Sequence, residues 1–285
     1  MRRLKEILVA LDGSSAAFHA LQESMRLARW AKGRVTAIAV APSYEGDLSL
    51  VGIKNPKNAI EGPSGEILSK AFSMAASSEM EIGVICEEGE IDQRIACRAH
   101  EGGFDLIVLG REPHRTFRHM LFSTMPVKLA SRSPGDILVV SEATEIRWER
   151  ALYLEWQSDP DPRSFSRAVD ICEAYDSWLL SAHIDFTKGR RAELVVCEPI
   201  PPNPRTDPDE SKQRRTPGSF PKEISRQSPQ SRDLAKAVAG MLAEERAGML
   251  FLPFQPVRGF GGWVTRRFLD RLILESPCPV MILQA

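Results

Sequence analysis

The chain repeats itself. The stretch from Leu106 to Val140 runs as a short apolar segment ending at Gly110, a polar loop rich in arginine and histidine, a helical segment that stops before Pro134, and a second apolar segment from Ile137 to Val140. The same pattern returns about 143 residues later, from Met249 to Leu283, with Pro113 falling on Pro256 and Pro134 on Pro277 and no gap needed. Two β-branched runs joined by a loop and a helix form a βαβ crossover with parallel strands. A unit that recurs once in 285 residues makes the chain two copies of one architecture.

Taken from its start, the first half alternates regularly. Ile7 to Leu11 is a continuous apolar run, as suits a strand covered on both faces. Asp12-Gly13-Ser14-Ser15 turns out of it, with a serine placed to cap the next helix. Phe18, Leu21, Met25 and Ala28 recur at helical spacing, and Gly33 ends that helix. A second strand spans Val35 to Val40. Residues 43–65 carry Gly46, Gly52, Pro56, Gly62 and Pro63 and are expected to form a mobile loop, followed by a helix from Gly65 to Ala76. A third strand at Ile82–Cys86 and a helix at Ile91–His100 lead into the opening stretch. The order β-α-β-α-β-α-β-α-β predicts a parallel five-stranded sheet with helices on both faces, an α/β fold of the doubly wound type.

The second half repeats the first strand at Ala151–Leu154, the first helix at Ser164–Tyr175 and the second strand at Trp178–Ile184, each shifted by 144 residues. The register then breaks. Glu193–Glu198 matches the third strand, but only Asp185–Arg191 joins it to the strand before. A parallel crossover needs about a dozen residues, so the spacing predicts an antiparallel hairpin here. Residues 199–230 are rich in Pro, Ser, Arg, Asp and Gln, with few apolar residues, and are expected to be disordered. The expected domains are 1–145 and 146–285, each long enough to bury a core.

Composition narrows the function. Thirty-seven Lys and Arg against 38 Asp and Glu give a formal charge of −1, which argues against general nucleic-acid or acidic-lipid binding. The amino terminus lacks the apolar segment of a signal peptide, and no run approaches a membrane span, so a cytoplasmic location is expected. The five cysteines are widely spaced without CxxC, and Cys86, Cys197 and Cys278 stand in apolar runs where buried structural thiols are expected. No Ser/His/Asp spacing, GxSxG elbow, general acid/base pair or metal-ligand pair stands out.

Both halves resemble the universal stress protein family. The resemblance rests on Ile7-Leu8-Val9-Ala10-Leu11-Asp12-Gly13-Ser14, on Asp105-Leu106-Ile107-Val108-Leu109-Gly110, and on the closing Ser276-Pro277-Cys278-Pro279-Val280-Met281-Ile282-Leu283. It implies a tandem protein of the adenine-nucleotide α-hydrolase-like fold, dimerisation through the last strand, and in one subfamily a bound ATP. The halves are then expected to form an intramolecular pseudo-dimer through Ile137–Val140 and Val280–Leu283, with homodimerisation and a regulatory protein partner also open.

ATP-binding relatives carry G-x2-G-x9-G-[ST] after the fourth strand, where glycines let backbone amides approach phosphate. This chain keeps the spacing: Gly110 matches the first glycine, Pro113 and Ser123 replace the next two, and Thr124 keeps the hydroxyl. Asp12 matches the acidic residue at the adenosine end and Val40 an adenine-pocket position. The resemblance thus implies nucleotide-binding candidates Leu11, Asp12, Val40, Gly110, Arg111, Ser123, Thr124 and Met125. His114, Arg115 and Arg118 are candidate anion contacts, a solvated basic loop being their structural alternative. In the second half, Trp156 stands at the Asp12 position, and Pro253, Pro256, Arg266 and Arg267 replace the phosphate-loop residues, so no nucleotide is expected there. Gly259, Gly261 and Gly262 are expected to be a flexible loop rather than a dinucleotide fingerprint. The expected function is binding and regulation with ATP or another adenine nucleotide in the first half; the alternatives are a slow nucleotide hydrolase and a ligand-free interaction module.

Overall fold

The structure is a computed structural model that describes residues 4–41, 56–112, 125–155, 162–185, 193–197, 199–201, 223–224, 234–254 and 260–284. It divides into two compact units, Leu4–Ala143 and Thr144–Ala285.

The first unit runs β1 (Glu6–Ala10), α1 (Ser15–Ala31), β2 (Arg34–Ala41), α2 (Pro56–Ser77), β3 (Gly83–Glu88), α3 (Ile91–Glu101), β4 (Leu106–Arg111), α4 (Met125–Ala130) and β5 (Asp136–Ser141). Its strands pair in the order β3-β2-β1-β4-β5, every neighbour parallel. The central strands are apolar on both faces: Ile7, Leu8, Ile107 and Val108 are all 0% exposed. That is what helices on both sides of a parallel sheet require.

Helix α1 starts where Ser14 accepts a hydrogen bond from the Ala17 amide. It ends at Lys32, which turns left-handed with φ of 54°. Helix α2 begins at Pro56, nine residues before the expected start, so part of the expected 43–65 loop is helical. Pro56 sits at the first helical position, where its missing amide costs nothing. Ser64, Leu68, Ala71 and Ala75 form its buried stripe, at the 4-3-4 spacing of one helix face. Pro63 is exposed on the other side and is carried in the interior of the helix.

Strand β3 lies at the sheet edge, and its exposed positions include Val84 and Cys86. The expected burial of Cys86 is therefore incorrect, because an edge strand keeps one side open.

The second unit contains β6 (Arg150–Glu155), α5 (Pro162–Ala174), β7 (Trp178–Asp185), β8 (Glu193–Cys197), β9 (Glu223–Ile224), α6 (Leu234–Glu244), β10 (Met249–Pro253), α7 (Phe260–Glu275) and β11 (Val280–Leu283). Strands β11, β10, β6 and β7 are parallel neighbours in that order. Strand β8 then pairs antiparallel with β7, Ala182 opposite Val196 and Asp185 opposite Glu193, as the short connection requires.

The expectation of disorder over residues 199–230 fails at two points. Ile200 exchanges both backbone hydrogen bonds with Leu179, at 2.8 and 3.0 Å, and β9 pairs antiparallel with β8, Ile224 opposite Val196. At these two points backbone pairing, which needs no particular side chain, fixes the chain; residues 202–222 and 225–230 lie outside the described residues. Gly261 and Gly262 lie in the first turn of α7, not in the expected loop.

Candidate functional site

In the first sheet the chain leaves β1 toward β2 on one side, while β4 flanks β1 on the other. This reversal opens a crevice at the carboxyl ends of β1 and β4, the place where open α/β sheets bind ligands. Ala10 pairs with both Ile38 and Leu109, and the Leu11 amide donates to the Ile38 carbonyl at 2.8 Å. Val40 and Arg111 stand two residues beyond these partners on β2 and β4, and Asp12 lies in the turn that leaves β1.

Asp12 is exposed, and its turn is tightly specified. Its Oδ1 accepts from the Ser14 amide at 2.9 Å and from the Ser14 hydroxyl at 2.6 Å. The Ser14 Oγ in turn accepts from the Ala17 amide at 3.1 Å, so one carboxylate oxygen organises the start of α1. Gly13 takes a φ of +86°, and a Cβ there would stand 3.1 Å from the Ile67 side chain. The turn is legible in Asp12-Gly13-Ser14, whereas the approach of Ile67 from α2 to Gly13 is a matter of tertiary packing.

Gly110 has a structural reason to be glycine. A Cβ at this position would meet the Ala16 carbonyl group and the Ala17 nitrogen at 2.4 Å. β4 and the start of α1 pack backbone to backbone here, which only glycine permits.

Leu11 is 5% exposed and Met125 7%, so both belong to the core of the unit. Val40, Gly110 and Arg111 are half-buried. Pro113, His114, Arg115, Arg118, Ser123 and Thr124 lie outside the described residues. A residue the sequence did not single out joins two helical segments of this unit: the Arg132 guanidinium, just past α4, donates to buried Asp92 in the first turn of α3.

Among the described thiols, burial pushes Cys172 up to about 12 and Cys278 up to about 11, which keeps both protonated and unreactive. A hydrogen bond to Glu101 raises exposed Cys97 as well. No group of three His, Cys, Asp or Glu suited to a metal occurs among the described residues, and no described helix is long and apolar enough to cross a membrane. A cavity of about 490 Å³ lies at the other end of the second sheet, lined by Arg147, Glu149, Arg150, Glu244, Glu245 and Arg246. Its balanced charges selects for no ion of either sign.

With the strand order and the crevice in place, the comparison with known families is decisive for the first unit. Residues 3–141 match the universal stress protein family. A universal stress protein from Archaeoglobus fulgidus DSM 4304 shares the fold over 98% of this chain and 95% of its own, with a TM-score of 0.65 at 13% identity. A functionally unknown protein from Pseudomonas aeruginosa PAO1 does so over 98% and 92%, with a TM-score of 0.55 at 12% identity. No curated protein matches the chain. The universal stress protein domain of residues 3–141 thus contains the whole β1/β4 crevice and the Asp12 turn.

Proposed function

We propose that the chain is a tandem universal stress protein whose first half binds an adenine nucleotide, ATP among them, in the β1/β4 crevice, and that it acts by binding and regulation. The observation that carries this reading is the Asp12 turn. One carboxylate oxygen is held by Ser14, which fixes the side chain at the rim and leaves the second oxygen for hydroxyl donors such as those of a ribose. Val40 stands in β2 two residues beyond Ile38, the partner of Ala10, and an adenine ring would lie against its apolar surface. The phosphate end would fall to Gly110, Arg111 and the candidates from His114 to Thr124.

Fold likeness along nearly the full length of the Archaeoglobus protein supports a second copy of the domain over residues 146–285. In this reading the second half is a partner for the first rather than a second nucleotide site, and the same apolar last strands serve self-association.

The test is ATP titration calorimetry on the full chain and on Asp12→Asn. Asparagine keeps an oxygen to accept from Ser14, so α1 stays capped, while the charge is lost. Charge-assisted hydrogen bonds are worth about 1.5–3 kcal/mol, so affinity should fall about 10- to 100-fold. An unchanged affinity in Asp12→Asn would remove Asp12 from the site.

A further inference from the structure

Strand β3 is the outermost strand of the first sheet. It pairs with β2, from Thr36 opposite Gly83 to Ala41 opposite Glu88, and no strand pairs with its other side among the described residues. Successive residues of a strand turn their amide and carbonyl to alternate edges. The Gly89 amide donates to the Ala41 carbonyl at 2.9 Å, so the backbone groups of Glu87 and Ile85 also face β2. Those of Val84, Cys86 and Glu88 then point to the outer edge. The same three residues are exposed, Val84 at 48%.

The second half shows what such an edge accepts. There β8 follows β7 as β3 follows β2, and its outer side receives β9 antiparallel, Ile224 opposite Val196 and Glu223 opposite Cys197. An extended segment of a few residues is enough.

Charge selects the occupant. Between Lys70 and Arg94 the chain carries Glu79, Glu81, Glu87, Glu88, Glu90 and Asp92 and no Lys, Arg or His. Glu87 is held by Arg98 and, at 3.9 Å, by Arg94, while Asp92 is held by Arg132. Arg29, the basic group that reaches the end of α2, donates to the Ser78 carbonyl at 2.6 Å. Glu79, Glu81, Glu88 and Glu90 are all exposed, and among the described residues none of these four carboxylates is in an ion pair. Glu81 stands two residues before β3, Glu88 ends it and Glu90 stands two residues beyond. Two copies meeting edge to edge would set these like charges against each other. A basic strand would meet opposite charge along the edge.

We propose that the outer edge of β3 docks a lysine- or arginine-rich extended segment of a partner protein, added as an antiparallel strand. The backbone groups of β3 give the ladder, Val84 gives apolar contact, and Glu81, Glu88 and Glu90 select basic side chains.

The test uses the full chain and a fluorescein-labelled heptapeptide that alternates lysine with valine, followed by anisotropy. One control peptide carries glutamate for lysine. A second carries N-methyl groups on alternate amides, which keep the charge and remove the ladder. Saturable binding of the unmodified basic peptide alone is expected, and it should weaken as salt is raised. Glu81→Lys with Glu88→Lys should weaken it about tenfold or more at an unchanged melting midpoint, because opposite charge becomes like charge. Asp12→Asn should leave it unchanged. Amide hydrogen exchange at Val84 and Glu88 should slow on binding, while Ile85 and Glu87, whose amides already face β2, should not change. If the charge variant fails to fold, the exchange pattern decides. No saturable binding would mean that the carboxylates only keep the edge from pairing, and equal binding of the N-methylated peptide would mean charge attraction without a strand; either overturns the proposal. A parent chain that sediments as a dimer, with Val84→Lys a monomer, would give the edge to a second copy and overturn it as well.

Discussion

Gly110→Ala separates two reasons for a glycine at the end of β4. If the residue is kept for phosphate, the ligand-free protein should tolerate alanine. The structure says otherwise. The added methyl would lie 2.4 Å from the Ala16 carbon and oxygen and the Ala17 nitrogen, all backbone atoms of α1. Ordinary carbon contacts need about 3.5–4.0 Å, so strand or helix must move by about 1 Å. Neither yields easily, because β4 pairs on both edges, with β1 and β5. Overpacking of this kind costs about 3 kcal/mol, the upper end of the usual range, because backbone rather than side chain must give. For a unit of this size that lowers the midpoint by about 6–12 °C. Thermal denaturation of nucleotide-free protein, followed by circular dichroism, measures it. Gly103→Ala is the control: its φ is +62° but open space surrounds it, so only the conformational cost of about 1–2 kcal/mol should appear. A ligand-free Gly110→Ala midpoint within about 2 °C of the parent, less than 1 kcal/mol, would refute the packing argument.

Gly240→Ala, inside α6 with nothing within 4 Å, should stabilise the chain by about 0.5–1 kcal/mol, read from the same melts. Alkylation at pH 8 followed by peptide mapping should modify Cys86 fastest, Cys97 more slowly because its bond to Glu101 favours the thiol, and Cys172 and Cys278 only on unfolding. The two buried thiols also set an alkaline limit. Their folded values, about 12 and about 11, lie above the ordinary 9.0, so their contribution is complete below pH 9 and is lost as pH rises toward 11. Two extra protons held by the folded state give a fall of about 2.7 kcal/mol per pH unit in that window, and Cys172→Ala with Cys278→Ala should flatten it in denaturant titrations.

Much of the fold was legible because the repeat and the apolar runs carry it. The antiparallel β8 followed from length alone, since Asp185–Arg191 cannot span a crossover. What escaped was decided by neighbours in space. Gly62, Pro63 and Gly65 signalled a loop, yet the stripe of Ser64, Leu68, Ala71 and Ala75 holds α2 together against β2. Cys86 belongs to an apolar run but sits on an edge strand, and a run does not say which strand is outermost. Ile224 has few apolar neighbours in the sequence to announce a strand, yet its backbone pairs with Val196. At the site, Asp12, Gly13 and Ser14 announced a capped turn, while the second role of Gly110 depends on how closely α1 approaches β4.

Calorimetric titration of ATP into the nucleotide-free full chain tests nucleotide binding by the first half most directly. One site per chain, weakened about 10- to 100-fold by Asp12→Asn at an unchanged melting midpoint, is the predicted result. No heat of binding, together with no adenine nucleotide released on denaturing freshly purified protein, would contradict it.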